Sequence, residues 1–238
     1  MKDKIAISLH KETLEKIDKK IDGTNIRSRS QAIEILIKKG LALSTVNTAV
    51  LLLSKMHANI PAKPFKSSSV LDQQTEFFRK NNITNIYAIV QGGLETDKVT
   101  VIKTNEKTNG DALRQAKGVI KDNFVVMSGD IYTNFDLAGM IGKHMTSGKM
   151  ATIGLMSSPT PGKYGTAVME GDMVVSFAEK PKKPESHITN AGIYIFSPEI
   201  FSILKGSIEK NVLPELARKK QLVGYFTTGE YVHFGEMQ

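Results

Sequence analysis

The chain has 238 residues, 40% of them hydrophobic, and no cysteine. That length suits one or two domains, the lack of cysteine excludes disulfides, thiolate metal sites and a cysteine nucleophile, and no apolar run approaches the length of a membrane span. The net charge is +8, and the first 43 residues hold ten Lys/Arg against six Asp/Glu, so half of the excess lies there. Such a concentration fits a nucleic-acid footprint. Met1–Lys4 runs directly into a patterned segment, which argues against a signal peptide and for a cytoplasmic protein.

Residues Lys4–Leu9 alternate apolar and polar, the period of a half-buried strand, with Ile5, Ile7 and Leu9 on one face and Lys4, Ala6 and Ser8 on the other. Two helical patterns follow. Leu14, Ile17 and Ile21 line one side of the first, which Gly23 ends. Ala32, Ile33, Leu36 and Ile37 line one side of the second, with Gly40 near its end. Ser28 precedes Gln31 by three, a capping-box spacing. So short a strand with two helices buries too little apolar surface alone, which predicts a homodimer or higher homo-oligomer. Two such strands paired antiparallel would turn their small polar faces outward as a ribbon that fits a DNA major groove.

Residues 3–43 resemble a ribbon-helix-helix DNA-binding domain. The features that match are the alternating strand, the helix of Thr13 to Ile21, the turn at Asp22–Ile26 and the entry Arg27-Ser28-Arg29-Ser30-Gln31-Ala32. The resemblance implies that Lys4, Ala6 and Ser8 read bases, and that Arg27, Ser28, Arg29 and Ser30 hold phosphate. A helix N-terminus offers free N–H groups and a positive dipole end, so the second role has a physical basis of its own. Ala6 is apolar at the middle position and leaves only a methyl contact to thymine.

Residues 44–48, Ser44-Thr45-Val46-Asn47-Thr48, are small and mostly polar and read as a linker between a domain at 1–43 and a second at 49–238. From Ala49 the pattern alternates strands and helices. Strands are expected at 49–54, 85–90, 98–103, 124–127 and 151–156, and helices at 70–81, 111–120 and 136–147. This predicts an α/β fold with helices on a mostly parallel, Rossmann-like sheet. Such sheets bind ligands at the carboxyl ends of their strands, where Asp130 follows an apolar run. A carboxylate there suits Mg²⁺ against a phosphate, and equally suits the capping of a loop.

Several runs resemble the sugar-phosphate nucleotidylyltransferases, in the right order over about residues 49–235. They are Pro61-Ala62-Lys63-Pro64, Ser128-Gly129-Asp130, Lys163-Tyr164-Gly165, Phe177-Ala178-Glu179-Lys180-Pro181 and Asn190-Ala191-Gly192. That family joins a nucleoside triphosphate to a sugar 1-phosphate. The resemblance implies phosphate contact at Lys63, a metal ligand at Asp130, and sugar contacts at Gly165, Glu179 and Asn190. It also implies a sugar-phosphate contact at Lys180, and a base cradle from Asn109 to Leu113 that includes Gly110.

The pattern breaks twice. The family's first strand runs into a glycine-rich loop with an arginine that wraps the triphosphate. Here it runs into Ser54-Lys55-Met56-His57-Ala58-Asn59-Ile60, without glycine or arginine. A Cβ on every residue obstructs close backbone approach to phosphate. Near the end, His233 stands in Tyr231-Val232-His233-Phe234-Gly235, where the family has a metal-binding aspartate. Phosphoryl transfer rests on positioning and charge neutralisation, so these losses together are expected to remove roughly several powers of ten in rate.

The sequence therefore points to a sequence-specific transcription regulator, cytoplasmic and nucleoid-associated. Its partner is double-stranded DNA, and its catalytically inactive second domain binds a nucleotide, sugar phosphate or nucleotide sugar. No cofactor is required, and Mg²⁺ enters only with a bound nucleotide. The alternatives are an active sugar-1-phosphate nucleotidylyltransferase with an added DNA-binding domain, and a pure assembly scaffold.

Overall fold

The computed structural model describes residues 6–23 and 26–236, with only the backbone for 38–45 and 236. The chain divides into two compact units between Ala42 and Leu43.

In the first unit α1 (Lys11–Asp18) starts where the His10 carbonyl accepts from Thr13 and Leu14 N–H at 3.0 and 3.1 Å. It stops short of the expected Ile21. Lys19 and Lys20 complete a turn, and Gly23 takes φ +74° in the loop that follows. The Asp22 carboxylate accepts from Ile26 N–H at 2.9 Å and holds that loop.

Ser28 Oγ accepts from Gln31 N–H at 3.2 Å, the first half of the expected box. The reciprocal bond goes one residue further back, from Arg27 N–H to Gln31 Oε1 at 2.9 Å. The second helix, α2 (Arg29–Thr45), passes through Gly40 instead of ending near it, since one glycine costs a helix only about 1 kcal/mol. The expected linker 44–48 is accordingly mostly regular structure: α2 reaches Thr45, Val46 is wholly buried and β1 opens at Thr48.

Residues 6–10 make no ladder among the described residues, and Lys4 and Ile5 lie outside them. Ile17 and Ala32 are buried, while Ile7, Leu36 and Ile37 are 40–50% exposed. The stripe expected to face inward is therefore only half covered.

The second unit is built on a nine-stranded sheet. In chain order its elements are β1 (Thr48–Leu53), the small hairpin β2 (Pro64–Phe65) and β3 (Ser68–Ser69), α3 (Val70–Lys80), β4 (Asn85–Val90), β5 (Thr100–Lys103) and α4 (Asn109–Leu113). There follow β6 (Phe124–Ser128), β7 (Ile131–Thr133), α5 (Leu137–Ser147), β8 (Ala151–Ser157), β9 (Gly165–Glu170), β10 (Met173–Glu179), β11 (Ile188–Phe196), α6 (Leu213–Arg218), β12 (Leu222–Phe226) and β13 (Tyr231–His233).

The sheet order is β5-β4-β1-β6-β11-β8-β12-β10-β9. The first four strands are parallel, as their apolar runs and intervening helices predict. Beyond β6 the sheet is mixed: β11 is antiparallel to β6 and β8, and β12 is parallel to β8. The core lies on both faces. On one, α3 and α5 bury Phe77, Phe78, Leu137 and Ile141, and on the other Leu113, Phe201, Leu213 and Leu216 are buried.

The single helix expected over 111–120 is two pieces: α4 ends at Leu113, and 3₁₀ turns cover Arg114–Gly118. Ser69 and Asp72 close a full capping box on α3. Lys98, then Ser69, hold the Asp72 carboxyl down at about 2.

Candidate functional site

The carboxyl ends of β1, β4 and β6 open into a cleft of about 210 Å³ lined by Ser54, His57, Gln91, Asn109, Asp130 and Glu209, among others. A second lobe of about 180 Å³ is lined by Lys163, Gly165, Glu179, Lys180, Asn190 and His233, among others. Ser128, Tyr194 and Glu209 line both, so the two lobes share a wall.

α4 builds the first lobe. Thr108 caps it through Asp111 N–H, and the Asp111 carboxylate accepts from Thr108 Oγ at 2.6 Å and from Gly206 N–H at 3.2 Å. These two bonds hold that carboxyl below its usual range. Asn109 is fully engaged: its Oδ1 accepts from Ile208 N–H at 2.9 Å, and its Nδ2 donates to both oxygens of Glu209 at 2.9 and 3.1 Å. Gly110 is buried in the wall behind it, where an added Cβ would lie 2.4 Å from the Gly206 carbonyl oxygen. Asn109 and Gly110 thus fix the turn that carries Glu209.

Glu209 also accepts from Ser207 Oγ at 2.9 Å and from the Tyr194 hydroxyl at 3.1 Å. Burial, and then the Glu209 charge, push the Tyr194 hydroxyl well above its ordinary value. Burial raises Glu179 as well, followed by the charge of Glu209. Asn190 donates to the Tyr194 hydroxyl at 2.7 Å and accepts from Gly192 N–H at 2.9 Å, at an irregularity in the pairing of β11 with β8. Gly165 opens β9 directly opposite Glu179 on β10.

Asp130 sits in the tight turn between β6 and β7. The Gln74 side chain, almost wholly buried on α3, donates to the carbonyls of Gly129 and Ile131 at 3.1 and 2.6 Å and so fixes that turn. Ser128 Oγ donates to Asp130 Oδ1 at 2.5 Å. His57 Nδ1 lies 3.0 Å from Asp130 Oδ2, and His233 Nε2 lies 3.7 Å from the same oxygen. The pairing of β13 with β7 sets His233 opposite Ile131, and Phe234 N–H donates to the Asp130 carbonyl at 2.8 Å. Phe65, Tyr132 and Phe234 pack ring on ring beside Ile60 and pin this corner.

The structure therefore gathers Asn109 and Asp130 in one lobe and Gly165, Glu179, Lys180 and Asn190 in the other. Lys63 lines neither lobe: its N–H donates to the Ile60 carbonyl and its carbonyl accepts from Val70 N–H, which turns the chain into the hairpin. His57, Glu209, Tyr194, Gln91 and Lys163 complete the walls without having been expected there. The missing glycines were legible in the sequence, but what replaces them is set by contacts spanning many residues.

The Mg²⁺ implied for Asp130 does not fit these surroundings. Mg²⁺ takes oxygen ligands in near-octahedral geometry, whereas Asp130 Oδ2 faces two imidazole nitrogens. Among the described residues no three His, Cys, Asp or Glu side chains are disposed to hold a metal ion.

In the first unit Ala6, Ser8, Arg27, Ser28, Arg29 and Ser30 are exposed. Arg29 is fixed on Asp18 of α1, Nε to Oδ1 at 2.8 Å and Nη2 to Oδ2 at 2.6 Å.

Residues 40–231 match the nucleotidyl transferase family. The chain belongs to that family. Residues 4–44 match the ribbon-helix-helix proteins of the copG family. A putative mannose-1-phosphate guanyltransferase of Sulfolobus acidocaldarius is 31% identical over 131 residues, which cover 54% of this chain and 36% of that protein. The catalytic subunit beta of the Danio rerio mannose-1-phosphate guanylyltransferase is 33% identical over 132 residues, covering 52% and 37%. Each match thus takes in about a third of the relative's length. Among solved structures, a putative glucose-1-phosphate thymidylyltransferase from Bacillus anthracis in complex with a sucrose superposes with TM-score 0.67 at 18% identity, covering 79% of this chain and 90% of that one. A UDP-glucose pyrophosphorylase complexed with UDP-glucose gives 0.66 at 14% identity, covering 80% and 94%. Both share the nucleotidyltransferase fold. No helix among the described residues is long and apolar enough to cross a membrane.

Proposed function

We propose that this nucleotidyl transferase family member is a DNA-binding regulator whose two-lobed cleft binds a nucleotide, sugar phosphate or nucleotide sugar without turning it over. The observation that carries this reading is the end of β1. Where the family resemblance implies a glycine-rich phosphate loop, Ser54 leads into a 3₁₀ turn at Lys55–His57 and then a second at Ile60–Ala62. Every residue there bears a side chain, and His57 sits on Asp130 instead of leaving it to a metal. Backbone amides cannot wrap a triphosphate along such a segment.

The DNA side rests on the copG-family match and on Ile7, Leu36 and Ile37, whose exposed apolar surface a second copy would cover. The paired strands of two chains would present Lys4, Ala6 and Ser8 to base edges. Arg27, Ser28 and Ser30, at the N-terminus of α2, would hold phosphate. A ligand in the cleft regulates only if it binds one arrangement of the DNA-binding halves more tightly than another.

A second reading is retained guanylyl transfer. It is favoured by the identity to mannose-1-phosphate guanylyltransferases and by the survival of Glu179, Lys180 and Asn190 together in one lobe. One pair of measurements separates the two. Fluorescence anisotropy against genomic fragments is expected to give sequence-dependent binding, and pyrophosphate release with GTP and mannose 1-phosphate is expected to stay at background. Turnover that disappears in Asp130→Ala would establish the enzyme reading instead.

A further inference from the structure

We infer that His57 is the internal occupant of the cation position on Asp130, so that this cleft excludes the divalent metal its family resemblance implies. Both carboxylate oxygens are taken. Oδ1 accepts from Ser128 Oγ at 2.5 Å, and Oδ2 faces His57 Nδ1 at 3.0 Å and His233 Nε2 at 3.7 Å. The carboxylate is only 8% exposed, so little water remains to complete a hydrated Mg²⁺ shell.

His57 does not ride on a free loop. Its N–H donates to the Ser54 carbonyl at 3.0 Å, and Lys55 N–H donates to Gln91 Oε1 at 3.3 Å. Three residues on, Ile60 is wholly buried in one cluster with Val70, Tyr132 and Phe234, against which Phe65 packs. The imidazole is therefore delivered to Asp130 by a hydrogen-bonded turn that is itself largely exposed and is anchored three residues on at buried Ile60.

Gly235 completes the arrangement. A Cβ there would come within 3.0 Å of His233 Cε1 and 3.2 Å of both Asp130 Oδ2 and His57 Nε2. The two rings and the carboxylate thus converge over a residue with no side chain. His233 adds a nitrogen where a hard cation would need an oxygen, and its buried Nδ1 has no hydrogen-bond partner. Two changes act in the same direction: one removes a carboxylate ligand, and the other covers the carboxylate that stays.

This inference concerns the cleft alone and does not depend on DNA binding. Its extension, that a phosphate ligand binds equally well in EDTA, rests on the ligand-binding reading above. The test is isothermal titration of the full-length protein with Mg²⁺ and, separately, with Zn²⁺. Neither metal is expected to bind the parent chain at millimolar concentration. The double variant His57→Ala/His233→Asp is expected to bind Mg²⁺ about tenfold or more tightly than the parent, the worth of one charge-assisted contact to a mostly buried carboxylate. His57→Gln/His233→Asp, which keeps bulk at position 57, guards against collapse of the segment, and its gain should be smaller. Mg²⁺ binding by the parent that is lost in Asp130→Asn overturns the inference. So does Zn²⁺ binding that is lost in His57→Ala, since the imidazole would then be a ligand. A double variant no better than the parent overturns it too.

Discussion

The guanidinium of Arg29 grips the carboxylate of Asp18 with two hydrogen bonds, 2.8 and 2.6 Å long, and ties the entry of α2 to the end of α1. The hydrogen bond from Arg29, more than its charge, holds the Asp18 carboxyl below its usual range. That contribution is present above the unfolded carboxylate range and is lost as pH falls through the folded value. Both side chains are about half exposed, so solvent screening keeps it modest. Arg29→Ala and Asp18→Ala should each lower the melting temperature of the chain. Arg27→Ala should reduce the salt slope of DNA binding by about one. Melting curves and anisotropy at several salt concentrations check both. An Arg29→Ala variant with parental melting and a shallower slope would mean that Arg29 is chiefly a phosphate contact.

Gly110→Ala is expected to destabilise the second unit. The new methyl meets a backbone oxygen, the carbonyl of Gly206, at 2.4 Å, so it cannot be accommodated by a rotamer change. Overpacking of this kind costs about 1–3 kcal/mol. Urea denaturation measures it, and binding of any cleft ligand should weaken in parallel because the Glu209 turn moves.

His144 should make the fold acid-sensitive. It is buried, with Nδ1 3.0 Å from Thr152 Oγ1, and burial pulls its pKa from 6.5 to about 4. The folded state keeps the ring neutral, so the unfolded chain binds the extra proton between those two values. Stability is full above pH 6.5 and falls as pH drops toward 4, by on the order of 3 kcal/mol in total. Urea midpoints across that window should slope upward with pH, and His144→Gln should flatten the slope.

Lys180 should show opposite effects on stability and on binding. It is a non-glycine residue at φ +46°, held there at the mouth of the second lobe with its N–H on the Tyr164 carbonyl at 3.1 Å. Left-handed backbone costs a lysine about 1 kcal/mol relative to glycine. Lys180→Gly should therefore raise stability by about that amount, or less, while weakening the binding of sugar 1-phosphates. Thermal shift with and without mannose 1-phosphate separates the two effects.

Much of the scaffold could be read from local pattern. The apolar run at 85–90 is β4 residue for residue, and Asp136 caps α5 by accepting from Gly139 N–H at 2.9 Å, which agrees with a helix starting there. Local pattern failed where a distant contact decided the outcome. Residues 111–120 have helical spacing, but the α-helix already begins at Asn109, ends at Leu113 and gives way to 3₁₀ turns. Ser44–Thr48 looked like a hinge because it is small and polar, yet Val46 is wholly buried.

The cleft divides in the same way. Glu179, Lys180 and Asn190 carry family motifs and do meet in one lobe. Glu209 and His57 became visible only once residues a hundred positions apart, Asn109 and Glu209, and seventy-three apart, His57 and Asp130, were brought together.

Ile60 bears on whether a glycine-rich phosphate loop could be built into this chain. It belongs to the stretch between Ser54 and Lys63, and its side chain is wholly buried in one cluster with Val70, Phe65, Tyr132 and Phe234. Building a pliant glycine-rich loop over those positions would empty that niche. Changing His233 to aspartate supplies an oxygen but leaves the niche filled and His57 on Asp130. One length of polymer is asked either to enfold a triphosphate or to plug a hydrophobic hole. A phosphate loop at these positions would therefore need a new occupant for that niche as well as the glycines.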